Sequence, residues 1–275
     1  MRPPRRDIAA PPFPSATAWV GGPAPKLERL VAEGPLLVHF FDFAQLNSVR
    51  ALPYVVAWRR RYGGRGLAVV GVHSPRFPFT AAPAAVEAAL PELEIEWPVA
   101  VDDRHAIWRD YGCRGWPSLF LWDRGGTLAW HHLGEGDYDG TEEAIRETLE
   151  EPAGGWPEPL APLRATDAPG ARVYPPTPEL FPGGSAATPW PEPGAADPVE
   201  PLSAEYEAGG TFAAVDGAGE IRARLDGGEE SEIAIERPGL VALAEHPGHE
   251  RHRIALRPAG GARIHSLQFA PAVAP

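Results

Sequence analysis

The chain has 275 residues, a formal net charge of −12 and a hydrophobic content of 44%. That length suggests two domains at roughly 100–200 residues each, and the acidic balance disfavours nucleic acid and anionic membrane surfaces as partners. The single cysteine, Cys113, rules out an intramolecular disulfide and a multi-cysteine metal site.

Residues 1–25 are rich in Pro and Ala and are expected to be extended or loosely packed. The arginines near the start are not followed by the apolar core of a signal peptide, and no apolar run reaches the roughly 20 residues that span a bilayer. The expected compartment is the cytoplasm. Lys26 to Ala32 predicts a short helix. Leu36 to Phe43 is an apolar run of strand length, as expected of a strand buried on both faces. Ser48 to Tyr62 predicts a helix whose last turn carries Arg59, Arg60 and Arg61, placed to suit the helix dipole, with Gly63-Gly64 as the stop.

GLAVVGVH (66–73) predicts a second buried strand, SPRFPFTAAP a loop, Ala84 to Leu90 a helix, WPVAVD (97–102) a short strand, and Arg104 to Tyr111 a helix. Ser118 to Asp123 and Thr127 to His132 predict a hairpin turned by Asp-Arg-Gly-Gly. Thr141 to Glu150 predicts a closing helix capped by Asp139 or Thr141. This order implies a mixed sheet with helices on both faces.

Residues 152–201 then read as a Pro-rich linker or draped segment; residues 151–201 hold 14 prolines, which excludes helix and sheet interiors. From Leu202 the apolar pattern has period 2 in short runs: TFAAVD, EIRARLD, SEIAIE, LVALAEH, HRIALRP and IHSLQFA, separated by turn residues. An antiparallel β-sandwich is expected over 202–275.

The stretch LLVHFFDFAQLNSVRALPYV, followed by GLAVVGVHSPRFPF, EWPVAVDDRHAIWRDYG and WPSLFLWDRGGTLAWHHLGEGDY, resembles a thioredoxin-like domain of the TlpA/DipZ-type branch, here spanning residues 26–151. The run from Glu205 to Ala270 resembles that branch's C-terminal β-sandwich, which is similar to a carbohydrate-binding module, and PPTPELFPG resembles the segment that introduces it. The resemblance implies an α/β thioredoxin-like fold followed by an all-β sandwich. It also implies two redox cysteines at the positions held by Gln45 and Ser48, a buried acid at the position of His39, and a cis proline at Pro117 facing the redox site.

Those departures remove the chemistry. Exchange needs a thiolate that attacks a disulfide sulfur, activated at a helix N-terminus. Gln45 offers no nucleophile, and Ser48 forms no disulfide and has no adjacent base legible in the sequence. Ser48 and Asn47 are instead expected to help cap the helix, and His39 to be a buried neutral histidine with a hydrogen-bond partner. No cofactor, metal or catalytic residue is expected.

The leading expectation is therefore a redox-inactive thioredoxin-like protein acting as a binding or scaffolding module. Trp116-Pro117 mark the groove where main-chain bonding to a peptide or protein partner needs no thiol. One alternative makes Cys113, four residues before Pro117, a single reactive thiol of a glutathione-linked or peroxidatic enzyme. Another makes the C-terminal domain a carbohydrate binder, although its aromatics Tyr206, Phe212 and Phe269 fit core positions. A second copy of the chain is a further candidate partner. His131-His132 should face opposite sides of a strand, and His246, His249 and His252 are expected in a solvated turn, so neither group is expected to hold a metal.

Overall fold

A computed structural model describes residues 1–3, 7–194 and 201–274. The described residues form two compact units: residues 1–43, 47–75 and 81–161 in the first, and residues 44–46, 76–80 and 162–275 in the second. Among the described residues no helix is long and apolar enough to cross a membrane.

The first unit has the thioredoxin-like α/β fold. Its elements run β1 (Ala18–Val20), α1 (Leu27–Glu33), β2 (Leu36–Phe41), α2 (Leu46–Tyr62), β3 (Ala68–His73), α3 (Pro83–Ala89), β4 (Val99–Val101), α4 (Ala106–Asp110), β5 (Ser118–Trp122), β6 (Leu128–Leu133) and α5 (Tyr138–Thr148). The six strands form one mixed sheet in the order β1-β4-β3-β2-β5-β6. β3 is parallel to β2 and β4, whereas β5 runs antiparallel to β2 and to β6. A central parallel strand covered on both faces must be apolar throughout, and all six residues of β2 are buried. Alternation along the strand sends Leu36, Val38 and Phe40 into one core, with Val70, Val72, Phe120 and Trp122. It turns His39 to the opposite face.

Among the described residues of 1–25, several are held by pairing and packing. β1 pairs antiparallel with β4, Ala9 bridges Thr127, and the Phe13 ring meets Trp19 at 5.2 Å and Tyr111 at 6.4 Å between centroids. The aromatic residues scattered among the prolines supply the burial that holds this segment down. The closing helix starts three residues earlier than its polar pattern suggests, with Asp137 at the N-cap in a left-handed conformation and making no side-chain cap bond. Thr141, expected as a cap, instead donates its hydroxyl to the Asp137 carbonyl at 2.8 Å.

The stretch read as linker 152–201 is also anchored over much of its length. Glu142, 2% exposed on α5, accepts the Tyr62 hydroxyl at 2.5 Å and the Leu160 N–H at 2.9 Å. Arg146 donates to the Pro157 carbonyl at 2.8 Å, and Trp156 lies edge-on to Tyr62. Further on, in the second unit, β7 (Val173–Tyr174) pairs with β13 (Ala272–Val273). Leu180 and Trp190 bridge Leu267 and Ile264. Proline excludes the segment from sheet interiors, and single bridges at a sheet edge are the pairing left to it. Residues 195–200 lie outside the described residues.

The second unit is an antiparallel all-β region. β8 (Leu202–Asp216), β9 (Gly219–Leu225), β10 (Glu230–Ile235), β11 (Gly239–Ala259) and β12 (Arg263–Ala270) form a sheet in the order β10-β9-β11-β8-β12. Tyr206, Val215, Ile221, Ile254, Leu256, Leu267 and Phe269 form its core. The histidine-rich HPGHERH segment is not a turn between two strands. It lies inside the single long strand β11, as an irregularity of pairing between Glu245 and Glu250. There the rings of His246 and His252 stack at 3.7 Å. Cross-strand bonding continues on either side of the proline and glycine, which bulge instead of breaking the strand.

Candidate functional site

The C-terminal ends of β2 and β3 and the loop before β5 meet at one end of the six-stranded sheet. A relay of hydrogen bonds within the first unit fixes them. Trp116 donates its indole N–H to the Ser74 carbonyl at 2.8 Å. The Ser74 N–H donates to the Phe41 carbonyl at 3.0 Å. The next residue, Asp42, donates its N–H to the Ser48 hydroxyl at 3.3 Å. Trp116 and Ser48 are therefore brought to the same end of the sheet. The Trp116–Pro117 peptide bond is cis, and the Pro117 carbonyl accepts the Gly134 N–H at 2.8 Å. Next to Gly134, Glu135 accepts from Arg50 of α2 at 2.6 Å in a largely buried pair.

Asp102 is the second fixed point. Its carboxylate is 4% exposed and accepts the Ile107 and Trp108 N–H groups at 3.1 and 2.8 Å and the Ser74 hydroxyl at 3.1 Å. It thus satisfies first-turn donors of α4 from outside the helix. Trp108 in turn packs against Trp116, with ring centroids 4.3 Å apart. Sequence reading passed over Asp102 and Ser74 because an acid followed by charged residues before a helix looks like ordinary capping. The inward turn of Ser74 has no sequence signal.

Helix α2 begins at Leu46, two residues earlier than its sequence pattern indicates. Ser48 and Asn47 are therefore inside the first turn and are not the N-cap. Ser48 is fully buried and accepts a backbone N–H from the strand behind it. Neither ring nitrogen of His73 has a hydrogen-bond partner among the described residues. Burial lowers the His73 pKa, partly opposed by the Asp42 charge.

His39 is fully buried and stacks on Phe41 at 5.3 Å. Burial pushes its pKa down to about 3, which favours the neutral ring. The expected hydrogen-bond partner is missing: neither ring nitrogen is bonded among the described residues. On the sheet His39 pairs with Gly71 and Leu119.

Cys113 sits in the apolar core with Ile107, Tyr111 and Phe120, 8% exposed. Burial drives its thiol up to about 12. A reactive thiol requires the opposite on both counts, a lowered pKa and access.

Residues 44–46 belong to the second unit. There the side chain of Gln268 on β12, itself 4% exposed, accepts the Leu46 N–H at 2.6 Å and donates to the Ala44 carbonyl at 2.8 Å. Its amide also donates to the Ser266 hydroxyl at 3.2 Å. Gln268 escaped the sequence reading because it occupies a strand position 222 residues away from Leu46. In the same unit Arg76 pairs with Glu179, and the Phe79 ring lies 4.8 Å from His265. His131 and His132 are separated as alternation requires: His131 stacks on Phe120 and His132 faces Asp137 at 3.7 Å. Among the described residues no group of His, Cys, Asp and Glu is arranged to hold a metal ion.

No protein-family model matches the chain. It is 34% identical over 172 residues to Protein DipZ of Mycobacterium bovis, covering 61% of this chain and 25% of that one. The chain thus spans about a quarter of the length of the DipZ proteins it matches. It is also 29% identical over 143 residues to the thiol-disulfide oxidoreductase YkuV of Bacillus subtilis, covering 51% of this chain and 95% of YkuV. Among solved structures, a putative thiol:disulfide interchange protein DsbE from Chlorobium tepidum is 23% identical. It covers 52% of this chain and 97% of its own, with a TM-score of 0.46. A thiol-disulfide isomerase from Corynebacterium glutamicum is 22% identical over 52% of this chain and 98% of its own, with a TM-score of 0.47.

Proposed function

We propose that this chain is a thioredoxin-like module without thiol–disulfide exchange activity, and that it works by binding a peptide or protein partner at the Trp116–Pro117 end of its six-stranded sheet. The observation that carries this reading is the placement of sulfur. The one thiol, Cys113, lies in the core with its pKa raised to about 12, and the segment 45–48 holds Gln-Leu-Asn-Ser. Exchange requires an accessible thiolate. The relative YkuV is named a thiol-disulfide oxidoreductase; on our reading this chain retains the frame of such a protein and has lost its reacting atoms.

The frame is nevertheless held in detail. Ser74 is bonded to Trp116, Asp102 and Phe41, and the adjoining Asp42 and Pro117 bond to Ser48 and Gly134. Main-chain pairing beside a proline-bearing loop is a mode of peptide recognition that needs no sulfur. Two of the three aromatics of 202–275 give the carbohydrate reading little support: Tyr206 and Phe269 are buried and stack on each other at 5.0 Å, whereas Phe212, expected in the core, is half-buried.

An insulin-reduction assay with dithiothreitol tests the proposal. The wild-type chain is expected to leave the rate at that of dithiothreitol alone. Turnover that scales with protein concentration contradicts it.

A further inference from the structure

The bonding of residues 44–46 has a specific pattern. The Ala44 carbonyl and the Leu46 N–H flank position 45 and are both taken by one partner, the carboxamide of Gln268. A residue in a neighbouring parallel strand makes this same pair of bonds: its N–H meets the carbonyl before the residue it faces, and its carbonyl meets the N–H after it. A primary amide carries both a donor and an acceptor on one group, so a single carboxamide can meet the pair that a strand residue meets with the N–H and C=O of two successive peptide units. Gln268 therefore takes the two backbone groups that an extended peptide would take beside Gln45.

The fit is built and buried. Ala44 and Leu46 are 0% and 3% exposed. The second N–H of the Gln268 amide is held by Ser266, which fixes the plane of the group toward the loop. Asparagine at the same strand position would be one methylene too short to hold this geometry, and glutamate would present no donor to the Ala44 carbonyl.

We propose that the Ala44–Leu46 segment is a backbone-recognition site for an extended peptide and that Gln268 is its internal ligand, a side chain that occupies the site in place of a peptide. This rests on the proposed function, in which the chain recognises a peptide and does not exchange thiols. Withdrawal of Gln268 then uncovers one backbone acceptor and one donor in the spacing that a parallel peptide matches.

The test places a reporter at position 45. In the full chain carrying Gln45→Cys and Cys113→Ser, the introduced thiolate attacks the pyridyl disulfide of a probe. The old S–S bond breaks, a mixed disulfide forms, and pyridine-2-thione leaves and is read by its absorbance. Two probes are compared: the pyridyl disulfide of a capped Ala-Ala-Cys-Ala-Ala peptide, and that of mercaptoethanol, which has no backbone. Adding Gln268→Ala is expected to raise the peptide-to-mercaptoethanol rate ratio by about tenfold, the scale of one or two net hydrogen bonds. A ratio unchanged by Gln268→Ala, with both rates rising together or neither rising, overturns the proposal, since that is simple loosening or no effect. Gln268→Glu keeps the shape and the acceptor and serves as the second variant should the alanine chain not fold. It is expected to raise the ratio by a smaller factor, and no rise overturns the proposal equally. Insulin turnover by the wild-type chain would instead remove the non-exchange reading and leave this ratio to be judged on its own.

Discussion

Trp116 and Ser74 lie 42 residues apart in the chain and are joined by an indole N–H donated to a backbone carbonyl at 2.8 Å. This one bond ties the residue before the cis proline to the end of β3, and through Ser74 to Phe41 and Asp42. Trp116→Phe keeps the ring and removes the donor, leaving a carbonyl without that partner. We expect a loss of about 1 kcal/mol, and about 3 kcal/mol for Trp116→Ala, which also opens a cavity beside Trp108. Urea unfolding of the two variants measures both; no loss for Trp116→Phe would mean that the hydrogen bond contributes nothing, and equal losses that the ring contributes nothing beyond it.

Asp102 holds three donors at once. Asp102→Ala leaves the Ile107 and Trp108 N–H groups and the Ser74 hydroxyl without it, and is expected to cost roughly 2–4 kcal/mol, the range for buried donors left unpaired by loss of a charged acceptor. Ser74→Ala removes a single one of these bonds and should cost about 1 kcal/mol. Denaturant midpoints for the pair report the ratio. A Ser74→Ala loss as large as that of Asp102→Ala would shift the weight from the α4 terminus to Ser74.

His39 makes stability sensitive to acid. Its pKa in the folded chain is held near 3 by burial, whereas an unfolded histidine titrates near 6.5. Above about pH 6.5 both states are neutral and nothing is lost. As pH falls below it the unfolded chain binds a proton that the folded chain refuses, so stability drops toward pH 3 by up to about 1.4 kcal/mol per pH unit for this group. His73, lowered by burial as well, acts in the same direction. His39→Leu should flatten the pH dependence of unfolding free energy between pH 6 and 4 by close to one proton, taking those bounds as approximate. An unchanged slope would show that His39 is protonated in the folded chain.

Glu142 fastens the first part of the Pro-rich stretch. It accepts from Tyr62, Arg146 and the Leu160 backbone. Glu142→Ala leaves Arg146 and the Leu160 N–H without this partner and is expected to cost roughly 3 kcal/mol. Limited proteolysis should then cut within residues 152–161 faster than in wild type. Cleavage at an unchanged rate would mean that Arg146 and Trp156 hold the segment without it.

Much of the first unit was legible because its signals are local and strong. The buried run around Phe40, the arginines ending α2 and the Asp-Arg-Gly-Gly hairpin each name one element, and their order carries the fold. The ends of elements were less legible. Leu46 starts α2 because the preceding loop is held from elsewhere in the chain, and Asp137 starts α5 through a left-handed backbone conformation that no residue pattern announces. The strand β11 was read as two because Pro247-Gly248 are turn residues locally, while the flanking pairing with β8 continues on both sides of them. Site residues divided in the same way. Gln45, Ser48, Trp116 and Pro117 stand out by position in a motif. Gln268, Ser74 and Asp102 act through contacts that exist only once strands distant in sequence are neighbours.

The claim that no exchange chemistry is left is tested most directly by intact-mass measurement of the folded wild-type chain after incubation with excess glutathione disulfide at mildly alkaline pH. Cys113 is the only thiol, so any attack on the disulfide must appear as a glutathione adduct on it. The account predicts an unmodified mass while the chain is folded, and an adduct once it is unfolded in urea. An adduct formed on the folded chain at a rate matching that of the unfolded one would contradict it.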